Sequence, residues 1–163
     1  MADRFEIVSI GSSALGLKRL LESGRFLVTD VLCLKARVTK ELEKVANEAG
    51  LDVTLFEWIG EFREIVNRFD KKTPFFIYQL DMLVPEDLTS KYSFFNIHRG
   101  DLYTNRGPNP DIWPILCGHE RTAISLHKIN EKIDSGVLID SSEIDIGPTD
   151  DTATLRERLE ERL

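Results

Sequence analysis

From Phe5 onward the chain alternates short apolar runs with stretches of helical spacing. No feature narrows the fold more, because strand-helix alternation gives a parallel sheet with helices on its faces. Phe5-Glu6-Ile7-Val8-Ser9-Ile10 reads as a first strand, Gly11-Ser12-Ser13 as its exit turn, and Leu15, Leu17, Leu20 and Leu21 as the apolar positions of a helix stopped near Gly24. Phe26–Leu34, apolar but for Thr29-Asp30, predicts a strand buried on both faces. Residues 40–49 predict a helix closed by Gly50. A short strand over 53–56, a helix over 61–69 and a strand over 75–78 follow, the last after a break at Pro74. Pro85 opens a short helical turn, and residues 94–97 form the next strand. Beyond it come a turn-rich loop over 99–109, a helix over 111–117, strands over 121–128 and 137–144, and a last helix begun by Asp150-Asp151-Thr152. That helix reads as still running at Leu163, so the chain is expected to be cut short or unusually compact. The expectation is a doubly wound, mostly parallel α/β sheet of about seven strands in a single domain, 1–163. In such sheets ligands sit beyond the carboxyl ends of the strands.

The 163 residues can bury a substantial core, and 42% hydrophobic with 30% charged is ordinary for a soluble protein. A net charge of −7 argues against a partner held through many phosphates, so no nucleic acid is expected. One phosphate held by one or two arginines stays compatible with it. Cys33 and Cys117 lie in apolar surroundings without a CxxC pattern, and read as buried thiols of a reducing compartment. No signal peptide and no apolar run of about 20 residues is seen, so no membrane association and a cytoplasmic location are expected.

Three histidines, His98, His119 and His127, show no metal-ligand spacing, and no metal is expected. Gly11-Ser12-Ser13 either makes a tight strand-to-helix turn or anchors a substrate phosphate through backbone amides at a helix N-terminus. No GxSxG elbow or GxxxxGK[ST] loop is present. What remains is Phe94-Phe95-Asn96-Ile97-His98, where strand alternation sets an amide and an imidazole on one face with Ile97 on the other. Asp134, in Asp134-Ser135-Gly136, is the best acid to join them. The plainer reading has Asn96 and His98 capping a strand and bonding loop carbonyls. Trp58 and Trp113 read as packing residues, and His119 as a solvated loop residue.

Asn96-Ile97-His98, Arg106-Gly107-Pro108, Ser125-Leu126-His127 and Asp134-Ser135-Gly136, in that order and spacing, resemble the core of the folate-dependent formyltransferases. The first strand with its Gly11-Ser12-Ser13 turn, and Thr149-Asp150-Asp151-Thr152 before the last helix, fit as well. The departures are local. His98-Arg99-Gly100-Asp101-Leu102-Tyr103 stands where the family reads close to His-Pro-Ser-Leu-Leu-Pro, Gln79-Leu80-Asp81-Met82 replaces a glycine-bearing segment, and Ala123 replaces a glycine. Most members also run longer than this chain.

The resemblance implies a Rossmann-like fold and transfer of a formyl group from N10-formyltetrahydrofolate to a primary amine of a small molecule, with an amino sugar on a nucleotide as favoured acceptor. It implies Asn96 and His98 as hydrogen-bond donors to a developing oxyanion, and Asp134 as support for His98 and acceptor of the amine proton. It further implies folate contacts from Met82, Val84, Ile129, Asn130, Glu131 and Ile133. Substrate contacts would come from Gly11, Ser12, Ser13, Arg99, Arg106 and His127. A homodimer is left open. The alternatives are a catalytically impaired folate- or metabolite-binding relic, or the catalytic piece of a longer formyltransferase acting on glycinamide ribonucleotide or methionyl-tRNA.

Overall fold

A computed structural model describes residues 4–163. Its strands are β1 (Phe5–Ile10), β2 (Phe26–Leu34), β3 (Val53–Phe56), β4 (Pro74–Ile77), β5 (Ser93–His98), β6 (Arg121–Lys128) and β7 (Leu138–Asp145). The helices are α1 (Ala14–Glu22), α2 (Lys40–Glu48), α3 (Ile59–Val66), α4 (Glu86–Thr89), α5 (Trp113–Leu116) and α6 (Thr152–Glu160). The sheet runs β3-β2-β1-β4-β5-β6-β7. β1 pairs in parallel with β2 and β4, and β2 with β3, whereas β6 and β7 are antiparallel. The expected mostly parallel, seven-stranded α/β sheet is therefore present. The chain divides into two compact units, Met1–Phe95 and Asn96–Leu163.

In the first unit the order reverses between β1 and β4, the switch point at which doubly wound sheets bind ligands. Ile7, Val28, Val31 and Cys33 of the strands pack with Leu17, Leu20, Leu42 and Ala46 of α1 and α2. Phe75 stacks on Phe94 with centroids 4.7 Å apart and meets Phe69 and Tyr92 edge-on, so aromatic packing ties β4 to the start of β5. β2 departs from its expectation. Its second half is buried continuously over Val31–Cys33, whereas in its first half Val28 is buried and its neighbours Leu27 and Thr29 are exposed. Helix α3 ends at Val66, short of residue 69, and Pro85 takes the cap position of α4 instead of its first helical one.

In the second unit Leu155 and Leu159 of α6 pack with Ile124 and Ile144 of the antiparallel strands, and Ile97 joins them. Asp151 caps α6 by accepting from the Thr154 amide, and the Thr154 hydroxyl accepts from the Asp151 amide in return. This helix ends at Glu160, where the Glu161 amide bonds back to Glu157, so it is not still running at Leu163. Helix α5 is a single turn in place of residues 111–117, with Pro114 inside it and left-handed Gly118 after it. Asp111 is fully buried, accepts from Arg156 Nε at 2.6 Å and lies 3.7 Å from Arg99 Nε, and Arg99 also pairs with Glu160 at 3.0 Å. These ion pairs tie the loop after β5 to α6.

Three further expectations are corrected. Trp58 and Trp113 are 59% and 50% exposed, so neither is a core residue. Cys117 is exposed because the single turn of α5 buries only Pro114. Cys33 is buried, as expected, and burial pushes its thiol up to about 11.

Candidate active site

The polar residues at the end of β5 belong to the second unit. Ile97 turns to the apolar cluster, which leaves Asn96 and His98 together on the opposite face. His98 is buried, and its Nε2 lies 2.7 Å from the carbonyl oxygen of Asn105. A carbonyl only accepts, so Nε2 carries the proton and Nδ1 is the atom facing Asp134 Oδ2, at 3.6 Å. Gly100, immediately beyond β5, permits this geometry. A Cβ there would meet Pro110 at 2.6 Å and His98 Nε2 at 3.0 Å, and its carbonyl accepts from Ser125 Oγ at 2.8 Å.

Asp134 comes from the connection between β6 and β7. Its φ of 44° lies in the left-handed region, a sparsely populated conformation for a non-glycine residue of the kind found at functional sites. Two features hold it. Asn130 braces the turn by donating to the Ser135 carbonyl and accepting from the Lys132 amide. Gly136 passes so close to β6 that a Cβ would fall 1.5 Å from the Lys128 oxygen. The Asp134 carboxylate accepts from the Gly107 amide at 2.9 Å and from Asn96 Nδ2 at 3.5 Å, and lies 3.4 Å from His127 Nε2. Burial pushes its carboxyl up, but the hydrogen bond from His127, the charge of His98 and the Gly107 amide outweigh this and hold it below the usual carboxylate range.

The site therefore holds one ionised carboxylate facing two imidazoles and an amide. His127 is buried, with Nε2 3.2 Å from Asn96 Nδ2. Such a set can donate hydrogen bonds to a developing negative charge and accept a proton from a nucleophile. Among the described residues, no cluster of His, Cys, Asp or Glu could hold a metal, and no helix is long and apolar enough to cross a membrane.

The other expected residues fall elsewhere. Arg99 is engaged with Glu160 and Asp111, so its charge is used within the fold, while exposed Arg106 donates through Nε to the Leu102 carbonyl at 2.5 Å. In the first unit, Gly11 and Ser12 use their amides on the Leu32 and Gln79 carbonyls, and Ser13 Oγ caps α1 through the Gly16 amide. The amide-anchor reading of that turn thus loses two donors. Met82 and Val84, in the same unit, are half-buried in the irregular segment after β4. Ile129 is half-buried at the end of β6, Glu131 and Ile133 are exposed on the Asp134 connection, and Asn130 is engaged in bracing it. Asn105 and Asp111 were not singled out by sequence. Asn105 acts through its backbone and Asp111 through partners remote in the chain, so neither leaves a side-chain signature.

No model of a known protein family matches the chain. It is 35% identical over 128 residues to methionyl-tRNA formyltransferase of Bacillus subtilis, a stretch covering 77% of this chain and 33% of that relative. Its fold matches glycinamide ribonucleotide transformylase 1 of Symbiobacterium toebii with a TM-score of 0.86 at 16% identity, over 99% of this chain and 83% of that one. Over this stretch the chain is similar in sequence to a folate-dependent formyltransferase, and it shares the fold of that group. A formyltetrahydrofolate deformylase from Pseudomonas syringae has the same fold, with a TM-score of 0.84 at 15% identity, over 98% of this chain and 57% of that one. The chain thus spans about a third of the length of the Bacillus relative. The fold brings together Asn96, His98 and Asp134, the three residues on which the sequence resemblance rests.

Proposed function

We propose that this domain transfers a formyl group from N10-formyltetrahydrofolate to the primary amine of a small molecule. The observation that carries the reading is the convergence of Asn96, His98 and His127 on the ionised carboxylate of Asp134. The residues fit the donor, because transfer of an acyl-type group to an amine needs hydrogen bonds at the carbonyl oxygen and an acceptor for the amine proton. When bound, the folate supplies an electrophilic formyl carbon.

His98 keeps Nε2–H on the Asn105 carbonyl, so any proton it gains sits on Nδ1, beside Asp134. Asp134 stabilises that imidazolium and takes the amine proton directly or through a water. Asn96 orients the reacting groups through its side-chain amide. No group in the cluster needs to form a covalent bond, so its contribution is positioning and preorganised charge.

For the acceptor, the net charge of −7 favours a small molecule over a nucleic acid. A nucleotide-linked amino sugar is our first choice, with glycinamide ribonucleotide and methionyl-tRNA, named by the relatives, as the competing acceptors. The test is tetrahydrofolate release from N10-formyltetrahydrofolate in the presence of each amine. Release that requires an amine is expected, and Asn96→Ala should lower kcat by on the order of 10² to 10³. Release without any amine would indicate hydrolysis. No release together with no folate binding would overturn the reading.

A further inference from the structure

One loop, residues 99–111, holds both His98 and Asp134 through its backbone. Its Asn105 carbonyl lies 2.7 Å from His98 Nε2. Its Gly107 amide donates at 2.9 Å to Asp134 Oδ2, the oxygen that faces His98 Nδ1 at 3.6 Å. The two stems of the loop meet at its base. A Cβ on Gly100 would fall 2.6 Å from the Pro110 side chain and 3.0 Å from the Asn105 oxygen, so a shift of either stem presses on the carbonyl that holds His98. The outermost residues, Arg99 and Asp111, approach to 3.7 Å, and each is tied to α6, Arg99 through Glu160 and Asp111 through Arg156.

Asp111 is a costly group to place at that base. It is fully buried, Arg156 and Arg99 approach it at Oδ2, and among the described residues Oδ1 has no hydrogen-bond partner. A buried ion pair with an unsatisfied oxygen adds little stability beyond an apolar contact of the same size. What it does supply is geometry, because the carboxylate fixes where the loop's two stems stand against α6. We infer that Asp111 is a positioning residue: by fastening the base of loop 99–111 to α6 it keeps the Asn105 carbonyl on His98 and the Gly107 amide on Asp134, and so sets the alignment of that pair. It acts through the backbone of the loop. Loss of its charge strands neither arginine, since Arg99 keeps Glu160 and the Arg156 side chain is 43% exposed, so Asp111→Asn is expected to fold.

The catalytic consequence rests on the formyl-transfer reading, but the effect on Asp134 does not. The whole chain carrying Asp111→Asn is compared with wild type in two measurements. The first is steady-state kinetics with N10-formyltetrahydrofolate and whichever of the three amines named above supports release. The second is carbon-13 NMR of the Asp134 carboxyl, its signal assigned by its absence from Asp134→Asn. The expected kcat is about 10- to 10²-fold lower, the scale of a small misplacement of reacting groups, with KM little changed because no group that touches substrate has been removed. Burial raises the Asp134 carboxyl, and His127 on β6, His98 on β5 and the Gly107 amide bring it below the usual range. With the amide loosened, its midpoint should rise, and the Gly107 amide hydrogen should exchange faster. Arg156→Lys, which keeps a cation on α6, should fall between wild type and Asp111→Asn in both measurements, and it replaces that variant if the latter does not fold. A variant that loses stability alone, with kcat per folded molecule and the Asp134 midpoint at wild-type values, overturns the inference. A raised KM with unchanged kcat overturns it as well, since the loop would then bind substrate instead of aligning the pair. A shifted Asp134 midpoint in a protein that transfers no formyl group to any amine would keep the positioning role and sink the proposed function instead.

Discussion

Two strand ends in this chain carry short polar motifs after an apolar run, and hydrogen bonds separate them. At the end of β1 the amides of Gly11 and Ser12 and the hydroxyls of Ser12 and Ser13 are all engaged with backbone groups. At the end of β5, Asn96, His98, His127 and Asp134 are engaged mainly with one another, through side chains that can change charge or turn over. Backbone partners fix a turn permanently, whereas side-chain partners can be exchanged for a substrate. Polarity at a strand end is therefore weak evidence of a site until its partners are known.

The largest expected effects set the two ends in opposite columns. Asn96→Ala should lower kcat by on the order of 10² to 10³ and leave the unfolding midpoint nearly unchanged, since the half-buried amide supports chemistry more than packing. Gly11→Ala should do the reverse. Its φ of 134° excludes ordinary side chains, and a Cβ would fall 1.9 Å from the Tyr78 oxygen. The backbone conformation alone costs on the order of 1–3 kcal/mol, and the clash adds to it. Urea denaturation beside steady-state kinetics checks both, and a Gly11→Ala protein of full stability would break the comparison.

Acid sharpens it further. Asp134 is held below its ordinary carboxylate value in the folded chain, so it contributes stability above the unfolded value, lost as pH falls through the folded one. The stability gap between wild type and Asp134→Asn should therefore shrink on acidification from pH 7 through the carboxylate range. Denaturation midpoints of both proteins across that range measure it, and a constant gap would mean that the carboxylate charge does not support the cluster.

How much of this was legible in the sequence follows from what each signal encodes. Periodicity marked the seven strands, because alternating and continuous apolar runs report burial directly. It carried no direction, so antiparallel β7 looked like its neighbours. It also overran α3 and α5, whose ends are set by turn chemistry and by Pro114 and Gly118. At the site, Asn96, His98 and Asp134 were legible as side chains in a spaced motif. The Asn105 carbonyl that fixes the His98 tautomer was not, because every residue has a carbonyl. Arg99 looked like an anion clamp only because its partners Asp111 and Glu160 lie far along the chain.

The smallest expected effect bears most directly on the contrast between the two strand ends. Ser12 Oγ donates to the Gln79 carbonyl at 3.2 Å, a bond worth about 0.5–1.5 kcal/mol, and Ser13 Oγ caps α1 with about 1 kcal/mol. If the β1 turn is purely structural, Ser12→Ala and Ser13→Ala should each shift the unfolding midpoint by that modest amount and leave KM for the amine unchanged. A substrate anchor would behave differently: KM would rise about tenfold for each 1.4 kcal/mol of lost contact, with stability little affected. Because a cap bond and a ligand bond are of similar strength, stability alone cannot distinguish the two roles. The pair of measurements can, since one hydroxyl hydrogen cannot serve the Gln79 carbonyl and a ligand at once. A raised KM in Ser12→Ala would place a binding contact at the switch point and reduce the difference between the two strand ends to one of degree.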